Sequence, residues 1–458
     1  MIGRGTLYQL KFCFFVLLIS IFRSGIGHGE TLTEALGRAY LSNPTLQAER
    51  ARLRAVDEQV SQELAAARPT TNLTTSTQRQ GVYDYAANNA YRLDTRSISL
   101  DMTQPLYKGG RIDARIASAE NKVQAARAGL LSTEQTTLLS SATAYMDVIR
   151  DRASFDLIID YLKVIKNVLN IEKRRLMLGS NTKTDVSQAE ARLAQAISDR
   201  IQAETTLRSS TSDFARLIGS EPEKLEKPKA TLEVPLKLND VLEAARSDNP
   251  DVIAARYTEQ SARHDVEAID AELLPSVDAV GSLQRQWDPS LIQSKVDTAS
   301  ITLRMTVPID NGSVAARARG ARQTVSQSVQ KIEEAQRVAT DRAVKSWNGL
   351  MAVRAQITAH EARVKSIEET LKSLRSEVDI GVRSVTDLLN AEQEALSARQ
   401  ALLGARHDEI IQSFTLLSAI GRLTAQNLKL TVDYYDYEAH YRQIRGKIWG
   451  VSLTGDTK

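Results

Sequence analysis

None of the chain's ten prolines falls between residues 106 and 221 or after residue 308. An interior proline costs a helix about 3 kcal/mol, so these two stretches are free of the strongest helix breaker. They are rich in Ala, Gln, Glu, Arg and Leu, which lose little side-chain freedom in a helix. The segment from about Lys108 to Leu178 reads as one helix of roughly 70 residues, about 105 Å long at 1.5 Å per residue. No ordinary globular core is that deep. Helices of this length imply a coiled-coil or α-barrel assembly, and Ala189, Ala191, Ala194 and Ala196 suit close approach between helices.

The same helix breakers reveal an internal duplication. Asn43-Pro44 matches Asn249-Pro250, and Pro69 matches Pro275, both at an offset of 206. Pro105 pairs with Pro308 at 203. Then Gly179 pairs with Gly381, Asp185 with Asp387, Ala189-Glu190 with Ala391-Glu392 and Ile218-Gly219 with Ile420-Gly421, all at 202. The chain reads as repeat one (30–219), a linker rich in Pro and Glu (220–236), repeat two (237–425) and a tail (426–458). The tail carries Tyr434, Tyr435, Tyr437, Tyr441 and Trp449 and is expected to pack on the helices from outside.

Residues 1–29 have a basic start (Arg4, Lys11), an apolar run from Phe12 to Phe22 and an exit rich in small residues at Gly25, Gly27 and Gly29. The run is shorter than the roughly 20 residues of a spanning helix, so the segment reads as a secretory signal peptide cleaved after Gly29. Cys13, the only cysteine, lies inside it, which leaves the mature chain without disulfide or thiolate chemistry. The leader holds three basic residues and no Asp or Glu, and without it 56 basic residues face 56 acidic ones. That balance gives no support to a nucleic-acid-binding field over the whole protein. The remaining composition, 42% hydrophobic and 25% charged, is that of a folded chain.

Between the helical blocks of each repeat the apolar period changes to two. Ile98, Leu100 and Met102 alternate with Ser97, Ser99, Asp101 and Thr103; Ile301, Leu303 and Met305 alternate with Ser300, Thr302, Arg304 and Thr306. Each segment follows a weaker strand, 71–77 or 277–283, so each repeat offers a hairpin (about 70–107 and 275–309) of strands about ten residues long, the length of a membrane barrel strand. The loops are expected at about 81–95 and 287–296 and hold Tyr83, Tyr85, Tyr91 and Trp287, to which no binding role is assigned. The alternative is a soluble β-subdomain whose apolar face packs on a core. An exported chain without an apolar helix of spanning length is either soluble throughout or inserted as a β-barrel, and the leader together with the long helices favours insertion. Four strands close no barrel, and open edges are not tolerated in hydrocarbon, so several chains would have to share one.

No P-loop, dinucleotide fingerprint, G-x-S-x-G or H-E-x-x-H is present. His264, His360, His407 and His440 lack metal-ligand spacing and read as surface or packing residues, so no cofactor and no enzymatic activity are expected. The informative polar positions are the two helix breaks, 176–191 and 378–395. Gly179 and Gly381 suit the left-handed conformation that ends a helix, and Thr182, Thr184, Ser384 or Thr386 can cap the helix that returns. Each returning helix carries an Asp in its first turn, favourable beside the helix dipole.

The repeated turn, Gly179 to Val186 and Gly381 to Leu388, together with Gln104-Pro105-Leu106-Tyr107-Lys108-Gly109-Gly110 and Val307-Pro308-Ile309-Asp310-Asn311-Gly312 where strand passes into long helix, resembles the TolC family of outer-membrane efflux proteins over about residues 31–425. The resemblance implies an α+β membrane protein: a homotrimer with a twelve-stranded transmembrane β-barrel in the outer membrane and a long-helix α-barrel in the periplasm. It implies no catalysis, and a role as exit duct of a tripartite efflux pump or type I secretion system. The partners would be a periplasmic adaptor and, through it, an inner-membrane pump or ABC exporter. It also implies that Thr184, Asp185, Arg383 and Asp387 close the periplasmic end, that the turns at Gly179 and Gly381 meet the adaptor, and that Ile98, Leu100, Met102, Ile301, Leu303 and Met305 face lipid. Val378 stands where the family pattern can place a tyrosine, and Asn390 where a second acidic ring can follow, so a lock that is weaker or partnered differently and a thinner ring of charge are expected. The competing reading is a periplasmic adaptor or coiled-coil scaffold without a membrane barrel.

Overall fold

The computed structural model describes residues 29–86, 88–228, 234–235, 237–290, 292–309, 311–448 and 450. Residues 1–28 with Cys13, part of the linker, Asp310 and Trp449 lie outside the described residues. The elements are α1 (Leu32–Ser42), α2 (Pro44–Ala65), β1 (Thr70–Asp84), β2 (Asn89–Tyr107), α3 (Arg111–Met177) and α4 (Lys183–Ile218). The series then recurs in the same order as α5 (Leu238–Ser247), α6 (Pro250–Asp270), β3 (Ser276–Trp287), β4 (Lys295–Thr306), α7 (Gly312–Asp379) and α8 (Val385–Ala419). A short α9 (Ala439–Ile444) lies in the tail.

Helices α3 and α7 run 67 and 68 residues without interruption, about 100 Å each. No single apolar stripe follows the length of α3, whose buried side chains shift round the axis as its neighbours change. The matched Asn-Pro pairs are helix starts: Asn43 caps α2, its side chain accepting from Thr45 N at 3.0 Å, and Asn249 caps α6, accepting from Asp251 N at 2.9 Å. Pro44 and Pro250 follow at the first helical position, where a missing N–H is harmless.

The four strands form one antiparallel sheet in the order β1-β2-β3-β4. Its first hairpin is longer than the sequence suggested. β1 has 15 residues and β2 has 19, so most of the expected loop at 81–95 is strand, with Val82 opposite Tyr91 and Arg79 opposite Asp94. Polar and charged cross-strand pairs extend this ladder where apolar alternation had ended. The second hairpin turns at 288–294, close to expectation.

The chain divides into two compact units that cut across the sequence repeats. One comprises Ser141–Thr231 and Arg363–His407 with the chain up to Ala39; the other comprises Tyr40–Ser140, Leu232–Ala362 and Asp408–Lys458 and includes the sheet. The first has a core in which Ile165, Leu169, Val186, Leu371, Val378 and Leu389 pack together, drawn from α3, α4, α7 and α8. In the second, Leu46, Leu53, Leu350 and Phe414 are fully buried. There the tail straps across α2 and α3. Tyr40 Oη accepts from Tyr435 N at 3.0 Å, the Arg50 guanidinium stacks on both rings, and Arg445 pairs with Glu120 at 3.0 Å. His440 Nδ1 lies 3.2 Å from the buried Asp57, whose carboxyl burial pushes up and His440 draws back down.

Candidate functional site

Residues directly opposed across antiparallel strands share a face of the sheet, as do residues two apart along a strand. The register therefore sets Leu73, Leu100, Leu283 and Ala299 in one row, and Thr71, Met102, Gly281 and Ile301 in the next. Ile98 lies on the same face beyond the first row, and Leu303 and Met305 lie on it opposite Ala279 and Val277. All six positions singled out in the strands thus share one face, and all are exposed, from 39% at Ile98 to 93% at Ile301.

The opposite face holds Asn72, Asp101, Ser282 and Ser300 in one row and Thr74, Ser99, Gln284 and Thr298 in the next. Asp101 accepts from Ser282 Oγ at 2.7 Å and from Ser99 Oγ at 2.9 Å. On β2 this polar side, Ser97, Ser99 and Asp101, is half-buried, while the apolar side is exposed. The alternation is inverted relative to a sheet packed on a core. Among the described residues nothing pairs along the outer edges of β1 and β4. The packed-subdomain expectation fails on this point, because no part of the described chain covers the apolar face.

Arg79 and Asp94 form a two-pronged pair across β1 and β2 at 2.7 and 3.0 Å, and Arg285 and Asp297 repeat it across β3 and β4 at 2.7 and 2.9 Å. The sequence reading missed both pairs. Arg285 lies 206 residues after Arg79, and Asp297 lies 203 after Asp94, so the repeat offsets already contained the signal.

At the first helix break, Gly179 has φ +75° and closes α3, with Ser180 N donating to Arg175 O at 3.0 Å. A side chain added at Gly179 meets nothing within 4 Å, so glycine is needed for the backbone angle and not for space. The cap of α4 is Thr182, not Thr184: Asp185 N donates to Thr182 Oγ1 at 3.2 Å, and Asp185 Oδ2 accepts from Thr182 N at 3.2 Å. This reciprocal box satisfies two otherwise orphaned amides. Thr184 is exposed in the first turn. Glu172, buried near the end of α3, accepts from Asn181; burial pushes its carboxyl up, with Asp185 adding and Arg175 opposing.

The second break repeats the arrangement. Gly381 has φ +77°, Asp387 N donates to Ser384 Oγ at 3.1 Å, and Ser384 N donates to Asp387 Oδ2 at 3.3 Å. Arg383 is paired within its own turn, to Glu377 at 3.4 Å. Val378 is buried in the four-helix core. Asn390 accepts from Arg192 at 2.7 Å, and Thr386 bonds Gln188, so two polar links join the hairpins within one chain. Each hairpin has a further matched pair, Lys173 with Glu190 at 2.8 Å and Arg375 with Glu392 at 2.5 Å. Glu190 is half-exposed, whereas Glu392 is 7% exposed. Met177, Leu178, Ile380 and Val382 project at the two turns as exposed apolar side chains.

Among the described residues no helix is long and apolar enough to cross a membrane, and no group of His, Cys, Asp and Glu is arranged to hold a metal ion. The outer membrane efflux protein family matches residues 35–220 and 241–422. The chain is 30% identical over 427 residues to the outer membrane efflux protein BepC of Brucella suis biovar 1, covering 92% of each chain. It is 24% identical over 433 residues to the outer membrane protein TolC of Escherichia coli, covering 88% of this chain and 85% of that one. The fold matches the crystal structure of the outer membrane protein VceC from Vibrio cholerae with a TM-score of 0.74 at 21% identity, over 85% of this chain and 96% of that one. The chain belongs to the outer membrane efflux protein family, the TolC family, and is a protein of the outer membrane with a periplasmic body.

Proposed function

We propose that three copies assemble so that their four-stranded sheets close one twelve-stranded barrel in the outer membrane and their long helices line a periplasmic conduit. The assembly is a passive exit duct for efflux or type I secretion. It docks through an adaptor to an inner-membrane pump or ABC exporter. The observation that carries this reading is the inverted sheet: apolar residues exposed on one face, polar residues of the inner strands β2 and β3 half-buried on the other, and two outer edges unpaired among the described residues. Hydrocarbon on one side, a water-filled lumen on the other and a neighbouring chain at each edge satisfy all three features. A soluble scaffold leaves all three unexplained.

The periplasmic end is closed by contacts between neighbouring hairpins that involve Thr184, Asp185, Arg383 and Asp387. One oxygen of each Asp is already held in a capping box. The other remains for a neighbouring chain's donor, and three Asp387 side chains would form a ring of negative charge about the axis. Arg383 presents a planar fork that a carboxylate accepts in two-pronged fashion, in exchange for its long contact with Glu377. The turns at Gly179 and Gly381, with Met177, Leu178, Ile380 and Val382 beside them, are the surface offered to the adaptor. In planar bilayers the wild type should conduct weakly, and Arg383→Ser or Asp387→Ala should raise the conductance. Unchanged conductance in both variants removes these residues from the gate.

A further inference from the structure

Beyond the apolar rows and toward the hairpin turns, the exposed face of the sheet becomes basic. Arg79, Arg92, Arg96, Arg285 and Lys295 all lie on it, against the carboxylates Asp94 and Asp297. Both carboxylates are taken up by the two-pronged pairs with Arg79 and Arg285. Three cations are left in excess on the face of each chain. Arg96 and Lys295 stand in one row, on either side of Trp287, and all three side chains are exposed. Their backbones are about 10 Å apart across two strand spacings.

Below that row the same face contains a shallow apolar groove floored by Gly281 and walled by Leu100, Met102, Leu283 and Ile301. A side chain built on Gly281 meets nothing within 4 Å, so the absent side chain leaves open space. Trp287 lies six positions beyond Gly281 on β3, about 20 Å along the strand, a span that a fatty acyl chain bridges.

We propose that this face holds a phosphorylated glycolipid of the outer leaflet, with its phosphate between Arg96 and Lys295 over Trp287 and an acyl chain in the groove at Gly281. The inference rests on the reading that the strands cross the outer membrane. In that reading the hairpin turns, at the end of the strands remote from the helices, lie at the outer leaflet. Charge complementarity selects the occupant: phosphate accepts from Arg in a planar fork and attracts Lys as a point charge, and an interfacial Trp suits the depth of a headgroup.

The test uses the mature oligomer extracted from outer membranes and washed free of lipid. It is mixed in micelles with bis-phosphorylated lipid A, dephosphorylated lipid A or phosphatidylglycerol, and retained lipid is counted by native mass spectrometry. Bis-phosphorylated lipid A should be retained roughly tenfold more tightly than its dephosphorylated form, in keeping with a charge-assisted contact. Arg96→Gln with Lys295→Gln should abolish that preference, and Gly281→Leu should weaken retention of both lipid A forms while preserving it. Equal retention of the two lipid A forms, a preference that survives the double variant, or phosphatidylglycerol held as tightly as lipid A would each overturn the site. Conductance of the same preparations separates the two levels of the account. Conducting channels without phosphate preference sink only this inference, and an oligomer that never enters a bilayer sinks it together with the duct.

Discussion

At the helical hairpins Ile165, Leu371, Val378 and Leu389 are enclosed in a core that one chain completes, whereas on the sheet Leu100, Ile301 and Met305 are exposed while Ser97 and Ser99 of β2 are half-buried. Away from their turns the hairpin segments obey the ordinary rule for a protein in water, with most apolar residues inside. The sheet obeys it in reverse. In the proposed assembly, folding of a single chain finishes the hairpins, while the sheet is finished only by lipid and by other copies. The two regions should respond to substitution in different ways.

The largest effect is expected where an exposed apolar strand residue acquires charge. Leu100→Arg places a cation on the face proposed to meet lipid, at an expected cost of about 2 to 4 kcal/mol per chain in a membrane barrel, repeated in each copy. Detergent-resistant oligomer on unheated gels should be lost while helical content stays intact. Survival of the oligomer would remove the contrast between the regions. Leu389→Ala does the converse. It opens a cavity in the hairpin core, should lower stability there by about 2 to 5 kcal/mol in denaturant titration, and should leave membrane insertion unaffected.

A smaller effect distinguishes the two hairpins from each other. Removing Arg375 leaves the buried Glu392 without its partner and should destabilise the second hairpin by about 2 kcal/mol, since an unpaired buried charge bears its full desolvation cost. Lys173→Ala, at the matched and exposed pair, should cost less than about 1 kcal/mol. Equal losses in proteolysis of the two hairpins would show that burial of Glu392 has no consequence. The smallest effect concerns acid. Arg317 hydrogen-bonds Glu272, beside the start of β3, and holds its carboxyl below the usual range. A depressed folded pKa contributes stability that is present above the ordinary carboxylate value and is lost as pH falls through the folded one. Hydrogen exchange around Ala271–Leu273 should therefore quicken only below about pH 4, and Glu272→Gln should remove that dependence.

The long helices were legible because two very long stretches both lack proline and are rich in Ala, Gln, Glu, Arg and Leu, which favour a helix. The left-handed helix ends at Gly179 and Gly381 were legible as a local backbone requirement, whereas Asn43 and Asn249 were met only as matched members of the repeat and their capping role emerged from the structure. The choice of Thr182 over Thr184 was not, because two hydroxyls so close in sequence have similar intrinsic capping power and only the backbone conformation distinguishes them. The full length of β1 and β2 was hidden because their distal halves are joined by cross-strand pairs such as Arg79 with Asp94, which leave no apolar period. The tail's anchors, Tyr40 with Tyr435 and Asp57 with His440, join residues almost 400 positions apart, and no local pattern encodes them. Asp185 and Asp387 stood out in the sequence as first-turn acids, a capping role that the structure satisfies within the chain, and the gating role proposed for them needs a neighbour.

The central claim is that the sheet is completed by other copies in a membrane. The native mass of the mature chain, expressed with its leader, should be measured in buffer alone and after detergent extraction of outer membranes. A trimer recovered only with detergent is the expected result. A monomer or dimer soluble without detergent would contradict it, because the exposed face of Leu100, Met102, Ile301 and Leu303 would then need no lipid to cover it.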